Sequence, residues 1–130
     1  MWGITARVAR ANGYTGAMAD LPLATAKQIA KAAYWDQAHC GDVPDAINFD
    51  VFDTAYNSGV HEAIVLVQRA AGVLADGYWG PATAAAVAAC EIGRMRRYFN
   101  SERLSFYTQL PTWPTFGKGW VNRIAANLKR

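Results

Sequence analysis

The sequence predicts an all-α fold of about seven short helices, and three observations predict it. Apolar residues recur at helical spacing along most of the 130 residues, strand-type alternation is nearly absent, and Gly or Pro stands at most junctions between the periodic segments. The segments differ in length, which favours an orthogonal packing over a parallel bundle. With 52% apolar and 18% charged residues the chain falls in the ordinary globular class. At this length it is expected to form one domain, residues 1–130.

Residues 5–11 read as a short first helix closed by Asn12-Gly13. Residues 23–37 follow Leu21-Pro22 and are rich in strong helix formers, with Ala30, Ala33 and Tyr34 on one side and Trp35 beside them. Pro44 suits a first turn and opens a helix that runs to Ser58 and stops at Gly59. Its stripes Phe49/Phe52/Tyr56 and Ile47/Val51/Ala55 make most of its circumference apolar, which marks it as the core helix. Its one polar ridge is Asp50, Asp53 and Asn57. Ser58 is placed to cap the helix 60–71, whose inward face is Ile64, Val67 and Ala71 and whose stop is Gly72.

Residues 73–80 form a turn segment, and Pro81 opens an alanine-rich helix that runs through Cys90 and permits close approach by a neighbour. Gly93 marks a break or bend before a helix over 94–110, with Met95, Phe99, Phe106 and Leu110 inward. Pro111, Pro114 and Gly117 are read as a loop, and 120–128 as a final amphipathic helix on Trp120, Ile124 and Leu128. There is no internal repeat and no low-complexity segment.

A net charge of +3 favours encounter with anionic polymers without selecting one, and no nucleic-acid partner is expected. The basic residues Lys118, Arg123, Lys129 and Arg130 read as a solvated helix end favoured by the helix dipole. The most apolar window, 63–74, contains Gln68 and Arg69 and is too short to span a bilayer, so no membrane insertion is expected. No charged-then-apolar leader precedes it. Synthesis in the cytoplasm is therefore expected, with another export route for any action outside it. Cys40 and Cys90 are expected as free thiols. His39, Cys40, His61 and Cys90 lack the short spacing that presents two ligands together, so neither a metal nor a cofactor is expected.

Asp50 and Asp53 resemble a catalytic carboxylate pair in composition, but glycosidase carboxylates flank the bond from opposite sides, and residues three apart on a helix point the same way. Tyr34, Trp35, Tyr78, Trp79 and Trp113 are candidates for stacking on sugar rings, with core packing as the alternative. Asn57-Ser58-Gly59 reads either as a helix stop and cap or as an amide aimed at an acetamido group.

Taken together, Gly3-Ile4-Thr5, Tyr34-Trp35, Phe52 through Gly59 (Phe-Asp-x-Ala-x-Asn-Ser-Gly), residues 76–83 (Asp-Gly-x-x-Gly-Pro-x-Thr) and Phe116-Gly117-Lys118-Gly119-Trp120 resemble glycoside hydrolase family 108. These are phage-type N-acetylmuramidases, or endolysins, with a lysozyme-like fold and a predicted peptidoglycan-binding second half. The resemblance implies a muramidase part at 1–72, a peptidoglycan-binding part at 73–130, and peptidoglycan glycan strands as partner. It implies substrate contacts at Thr5, Tyr34, Trp35, Asn57, Ser58, Tyr78 and Trp79.

In the family a Glu-Gly-Gly segment and an Asp-x-Gly-Gly-x-Thr segment precede the Gly-Ile-Thr, and the Glu is the catalytic acid. Neither segment occurs in this sequence, and Met1-Trp2 resembles an interior stretch of the pattern. The resemblance therefore implies an N-terminally truncated lysozyme-like domain that acts at the bacterial wall with weak activity or none. Asp53 is the only substitute acid considered. Uncovered apolar surface is expected to favour a homodimer or a complementing N-terminal segment. The alternative reading is a non-catalytic peptidoglycan-binding module.

Overall fold

The computed structural model describes residues 3–130, and the reading of Met1-Trp2 lies outside them. Seven α-helices follow one another: α1 (Ala6–Ala11), α2 (Leu23–Ala30), α3 (Asp45–Ser58), α4 (Val60–Ala71), α5 (Pro81–Ala89), α6 (Ile92–Thr108) and α7 (Trp113–Leu128). No strand occurs among the described residues. Short 3-10 turns at Met18–Asp20 and Cys40–Asp42 shape the connections.

The helices start and stop for local reasons. Thr5 caps α1 by accepting from the Val8 N–H at 3.2 Å. Glu91 caps α6 with both oxygens, accepting from Gly93 N at 2.8 Å and Arg94 N at 2.7 Å. That carboxylate carries the helix start back to Ile92, so Gly93 lies inside the first turn and does not break the chain. At the end of α4, Gly72 N donates to Arg69 O and Val73 N to Gln68 O, the paired bonds that close a helix at a following glycine. The expected cap from Ser58 to α4 is absent: Gly59 occupies the cap position and no side chain bonds there.

α4 is the core helix. Ala63, Ile64, Val65, Leu66, Val67 and Gln68 are consecutive and all buried, because α3, α5 and α6 pack around α4. α3, which the sequence puts in that role, buries Ile47, Val51 and Ala55 while Phe49, Phe52 and Tyr56 stay half-buried. The main apolar cluster runs from Ala38 and Val51 through Leu66 to Val87, Met95 and Phe99. A second cluster joins Ile4, Ala9, Leu21, Ala26 and Ile29, and Tyr34 packs against both.

Two elements differ from the expected pattern. α2 does not continue to 37 as an α-helix: at Lys31–Trp35 it widens into one π turn, with Asp36 N donating to Lys31 O at 2.8 Å. α7 begins at Trp113, seven residues earlier than the pattern suggests, because Pro114 sits in its first turn and Gly117 is buried beneath the Trp113 ring. Leu128 is exposed, and α7 instead buries Ile124 and Asn127 while Trp120 stacks on Tyr107 at 4.8 Å. Among the described residues no helix is long and apolar enough to cross a membrane.

Candidate functional site

The N-terminal segment of residues 3–5 is seated on α3. Gly3 lies so close to Tyr56 that a Cβ there would collide with the phenol oxygen, which is why only glycine fits. Tyr56 meets Tyr34 with ring centroids 4.9 Å apart. The π turn sets Tyr34 toward this junction and Trp35 toward Phe52, 5.8 Å away. Asn57 is exposed on the next position of α3, but its Nδ2 is engaged, donating to Asp53 O at 2.7 Å and Asp53 Oδ1 at 3.2 Å. Only its carbonyl oxygen is left to face an incoming group. Thr5 is exposed while its hydroxyl caps α1, and Ser58 is half-buried at the end of α3.

Tyr78 and Trp79 stand on a turn organised by one buried side chain. Gln68 Nε2 donates to Asp76 Oδ1, Tyr78 O and Thr83 Oγ1, each at 3.0 Å, and Gln68 Oε1 accepts from Gly77 N at 2.9 Å. Asp76 Oδ1 also accepts from Tyr78 N at 3.0 Å. The hydrogen bonds from Tyr78 N and Gln68 hold the Asp76 carboxyl below the usual carboxylate range. Gly77 has φ 80° and no room for a side chain, because the His61 ring occupies the place of a Cβ.

The result is a rigid aromatic wall. The Trp79 ring stacks on His39 at 4.6 Å and an interplanar angle of 5°, and Tyr78, 74% exposed, meets His61 edge-on at 5.7 Å. His39 is fixed in turn by Asp42, 2.8 Å from its Nδ1. These rings, with Gln37, Val60 and Ile64, line a groove of about 320 Å³. In its lining, Gln37 and Val60 follow Tyr34 and Tyr56 by three and four residues, so the groove and the Tyr34–Tyr56 contact are neighbours along the chain.

The structure thus gathers Thr5, Tyr34, Asn57 and Ser58 around the C-terminal part of α3 and sets Tyr78 and Trp79 in the groove beside the start of α4. Trp35 faces a separate apolar groove of about 270 Å³ with Lys27, Ala30, Lys31 and Phe52. Trp113 is half-buried against Trp120 and lies apart from all of these. Gln37, His39, His61 and Gln68 are groove or support residues to which the sequence gives no such role: His39 and His61 are weighed there only as metal ligands and Gln68 only as a polar break in an apolar window. A polar Gln68 inside the most apolar window was their one signal.

Asp53 is a hub for helix packing. Its Oδ2 accepts from Arg103 Nη2 at 2.8 Å and Asn127 Nδ2 at 3.1 Å, and its Oδ1 from Arg123 Nη1 at 2.7 Å. Burial alone would raise its pKa, but the bonds and charges of Arg103 and Arg123 outweigh it and hold the carboxyl below its usual range. Asp50, one turn earlier, has a buried Oδ1 with no protein partner, and burial pushes it up to about 6 against the pull of Arg103 and Arg96. Both thiols are unpaired; Cys40 is buried, and burial with the nearby Asp36 charge pushes it up to about 12. Among the described residues no three His, Cys, Asp or Glu side chains gather as metal ligands would.

Known proteins supply two independent likenesses. The sequence model of the family "Glycosyl hydrolase 108" matches residues 1–59, and that of "Predicted Peptidoglycan domain" matches residues 62–125. Among solved structures, SagA of Brucella abortus superposes with a TM-score of 0.87 at 30% identity, covering 98% of this chain and 76% of that one. No curated protein matches by sequence. The likeness to SagA extends over nearly all seven helices and fits the all-α, lysozyme-like architecture.

Proposed function

The chain belongs to the glycosyl hydrolase 108 family and is directed to peptidoglycan, and from that premise we propose that these 130 residues hold the glycan strand without cleaving it efficiently. The observation that carries the binding half is the groove beside Trp79. It offers an exposed phenol ring, a fixed indole, an apolar floor and the amide of Gln37, a set suited to the apolar face, hydroxyl rim and acetamido group of an aminosugar. The seam from Thr5 past Tyr34 and Asn57 is the path this reading assigns to the rest of the strand.

The catalytic half follows from the chemistry of the carboxylates. Glycoside hydrolysis needs an acid that holds a proton at the leaving oxygen. Asp53 is held ionised by two arginines and faces α6 and α7, so it is unsuited to that role. Asp50 is closer to the right proton affinity but is buried beside it. The family's acid belongs to the Glu-Gly-Gly segment, which this sequence does not contain. A segment bearing it would cover the apolar groove of about 260 Å³ formed by Ile4, Leu23, Ala26, Lys27, Ala30 and Tyr56, which adjoins the Trp35 groove through Lys27 and Ala30. A second copy of the chain is the other occupant that would cover this face. The place of action is the bacterial wall, and the endolysin type is the form of the family we assign to it.

Sedimentation with insoluble peptidoglycan and a wall-clearing assay on the same preparation test both halves. We expect binding with little clearing, and a roughly tenfold loss of binding in Trp79→Ala, equivalent to about 1.4 kcal/mol. Adding Glu-Gly-Gly and Asp-x-Gly-Gly-x-Thr ahead of Met1 is expected to create clearing that the Glu→Gln control lacks. Sedimentation equal to that of an unrelated protein of the same charge ends the binding proposal, and rapid clearing by the 130 residues ends the catalytic one.

A further inference from the structure

A second groove, of about 580 Å³, runs between α6 and the end of α7, away from the aromatic wall. Two ridges of α6 form one side of it: Arg96, Asn100 and Leu104 at successive i+4 steps, and Arg97, Ser101 and Ser105 beside them. Leu128 of α7 closes the other side. From Arg96 to Leu104 the ridge is about 12 Å long at the helical rise, the reach of three to four residues of extended peptide at about 3.3 Å each.

The groove is cationic at one end only. Among the described residues, the two arginines in its lining, Arg96 and Arg97, make no ion pair, although Arg96 lies close enough to the buried Asp50 to draw its pKa down. Arg96 spends Nη2 on Leu128 O, 2.6 Å away, which fixes its guanidinium while leaving its other N–H groups. Glu91, the acid that acts on Arg97, already has both oxygens engaged by backbone N–H groups. Asn100 lies in the floor at 5% exposure, with Nδ2 donating to Arg96 O and Oδ1 lacking any protein partner. The exposed hydroxyls of Ser101 and Ser105, on the neighbouring ridge, are the acceptors that an N–H entering the groove would meet.

We infer that this groove takes the anionic stem peptide of peptidoglycan, its carboxylates at Arg96 and Arg97 and its small apolar side chains toward Leu104 and Leu128. The inference rests on the reading of the chain as peptidoglycan-directed and adds a second site to it. A stem peptide alternates carboxylates, amide N–H groups and methyl side chains, which matches the guanidinium of Arg97, the hydroxyl of Ser101 and the side chain of Leu104 in the order they occur along α6. A polyphosphate would use the arginines but leave the leucines unmatched. The neutral glycan would leave the arginines unused. The two grooves thus divide the polymer between them, sugar at Trp79 and peptide at α6.

The test is calorimetry on the 130-residue chain with synthetic L-alanyl-γ-D-glutamyl-diaminopimelate. The same peptide with its carboxylates amidated, poly(glycerol phosphate) and stem-free glycan strands serve as the other arms. We expect the free peptide to bind, and its amidated form, and the Arg97→Gln and Ser101→Glu variants, to bind roughly tenfold more weakly. Stem-free glycan should bind both variants as it binds the parent. Equal binding of the amidated peptide, unchanged binding by both variants, or displacement by poly(glycerol phosphate) at matched charge overturns the inference. If the peptide fails while intact walls and stem-free glycan still bind, this site is wrong and the peptidoglycan reading stands. Failure of every wall ligand removes both.

Discussion

Asp50 and Asp53 stand one turn apart on the same face of α3 and have opposite proton affinities, because only one of them meets cations directly. Asp53 is lowered, so its contribution to stability is present above its unfolded pKa and is lost as pH falls through the folded one. Asp50 is raised to about 6, so the stability linked to its proton is complete below the unfolded value of 3.8 and is lost as pH rises through about 6. That shift corresponds to something on the order of 3 kcal/mol. Asp50→Asn is therefore expected to flatten the loss of stability between pH 4 and pH 6 in urea titrations and to be no less stable than the parent at pH 7. Asp53→Asn should destabilise by about 3–5 kcal/mol at pH 7, since it leaves the fully buried Arg103 without its counter-charge. A parent-like urea midpoint for Asp53→Asn would remove the hub from the account. The polar ridge of α3 is legible in the sequence; which of its carboxylates is paired is not, because Arg103 and Arg123 lie 50 and 70 residues away.

At the scale of elements, the turn at 76–83 owes its shape to a residue on another helix. Gln68 serves both backbone and side chains there, and no local rule about glycine or proline reveals a support that comes from α4. Gln68→Leu keeps the volume but strands Gly77 N and Thr83 in a buried place, at about 1–3 kcal/mol for each orphaned group. We expect a lower melting temperature together with weaker peptidoglycan sedimentation, because Trp79 loses its fixed position. A variant that melts lower yet binds walls as the parent does would show that the aromatic wall needs no such support. Helices with strong periodicity, such as α4, are legible without the structure. The π turn and the start of α7 are not: a π turn changes register within an unbroken helical pattern, and Pro114 serves a first turn as readily as a loop.

Across the whole molecule the apolar interior is divided unequally, and the division falls beside the glycan seam. The larger cluster is closed around α4, whereas the smaller one holds α1 and α2 against the N-terminal segment. Tyr34 bridges the two and Tyr56 packs against the smaller from α3, so their mutual contact is one side-chain link between them, with Phe52 against Tyr56 as another. The chain pattern predicts each helix separately, but nothing in it says that the first two would share a small core of their own, since Ile4, Ala9 and Ile29 read as ordinary apolar positions. A small core opens more readily than the global fold, and its opening would disturb the seam at Thr5 and Tyr34 before the groove at Trp79. Tyr56→Ala should therefore raise amide exchange in α1 and α2 by on the order of 100-fold, the equivalent of about 2.7 kcal/mol, while α4 and α6 keep their protection. Peptidoglycan binding through the Trp79 groove should survive that change in part. Uniform loss of protection across all seven helices would mean that the two clusters unfold as one unit and that Tyr34 and Tyr56 do not divide them.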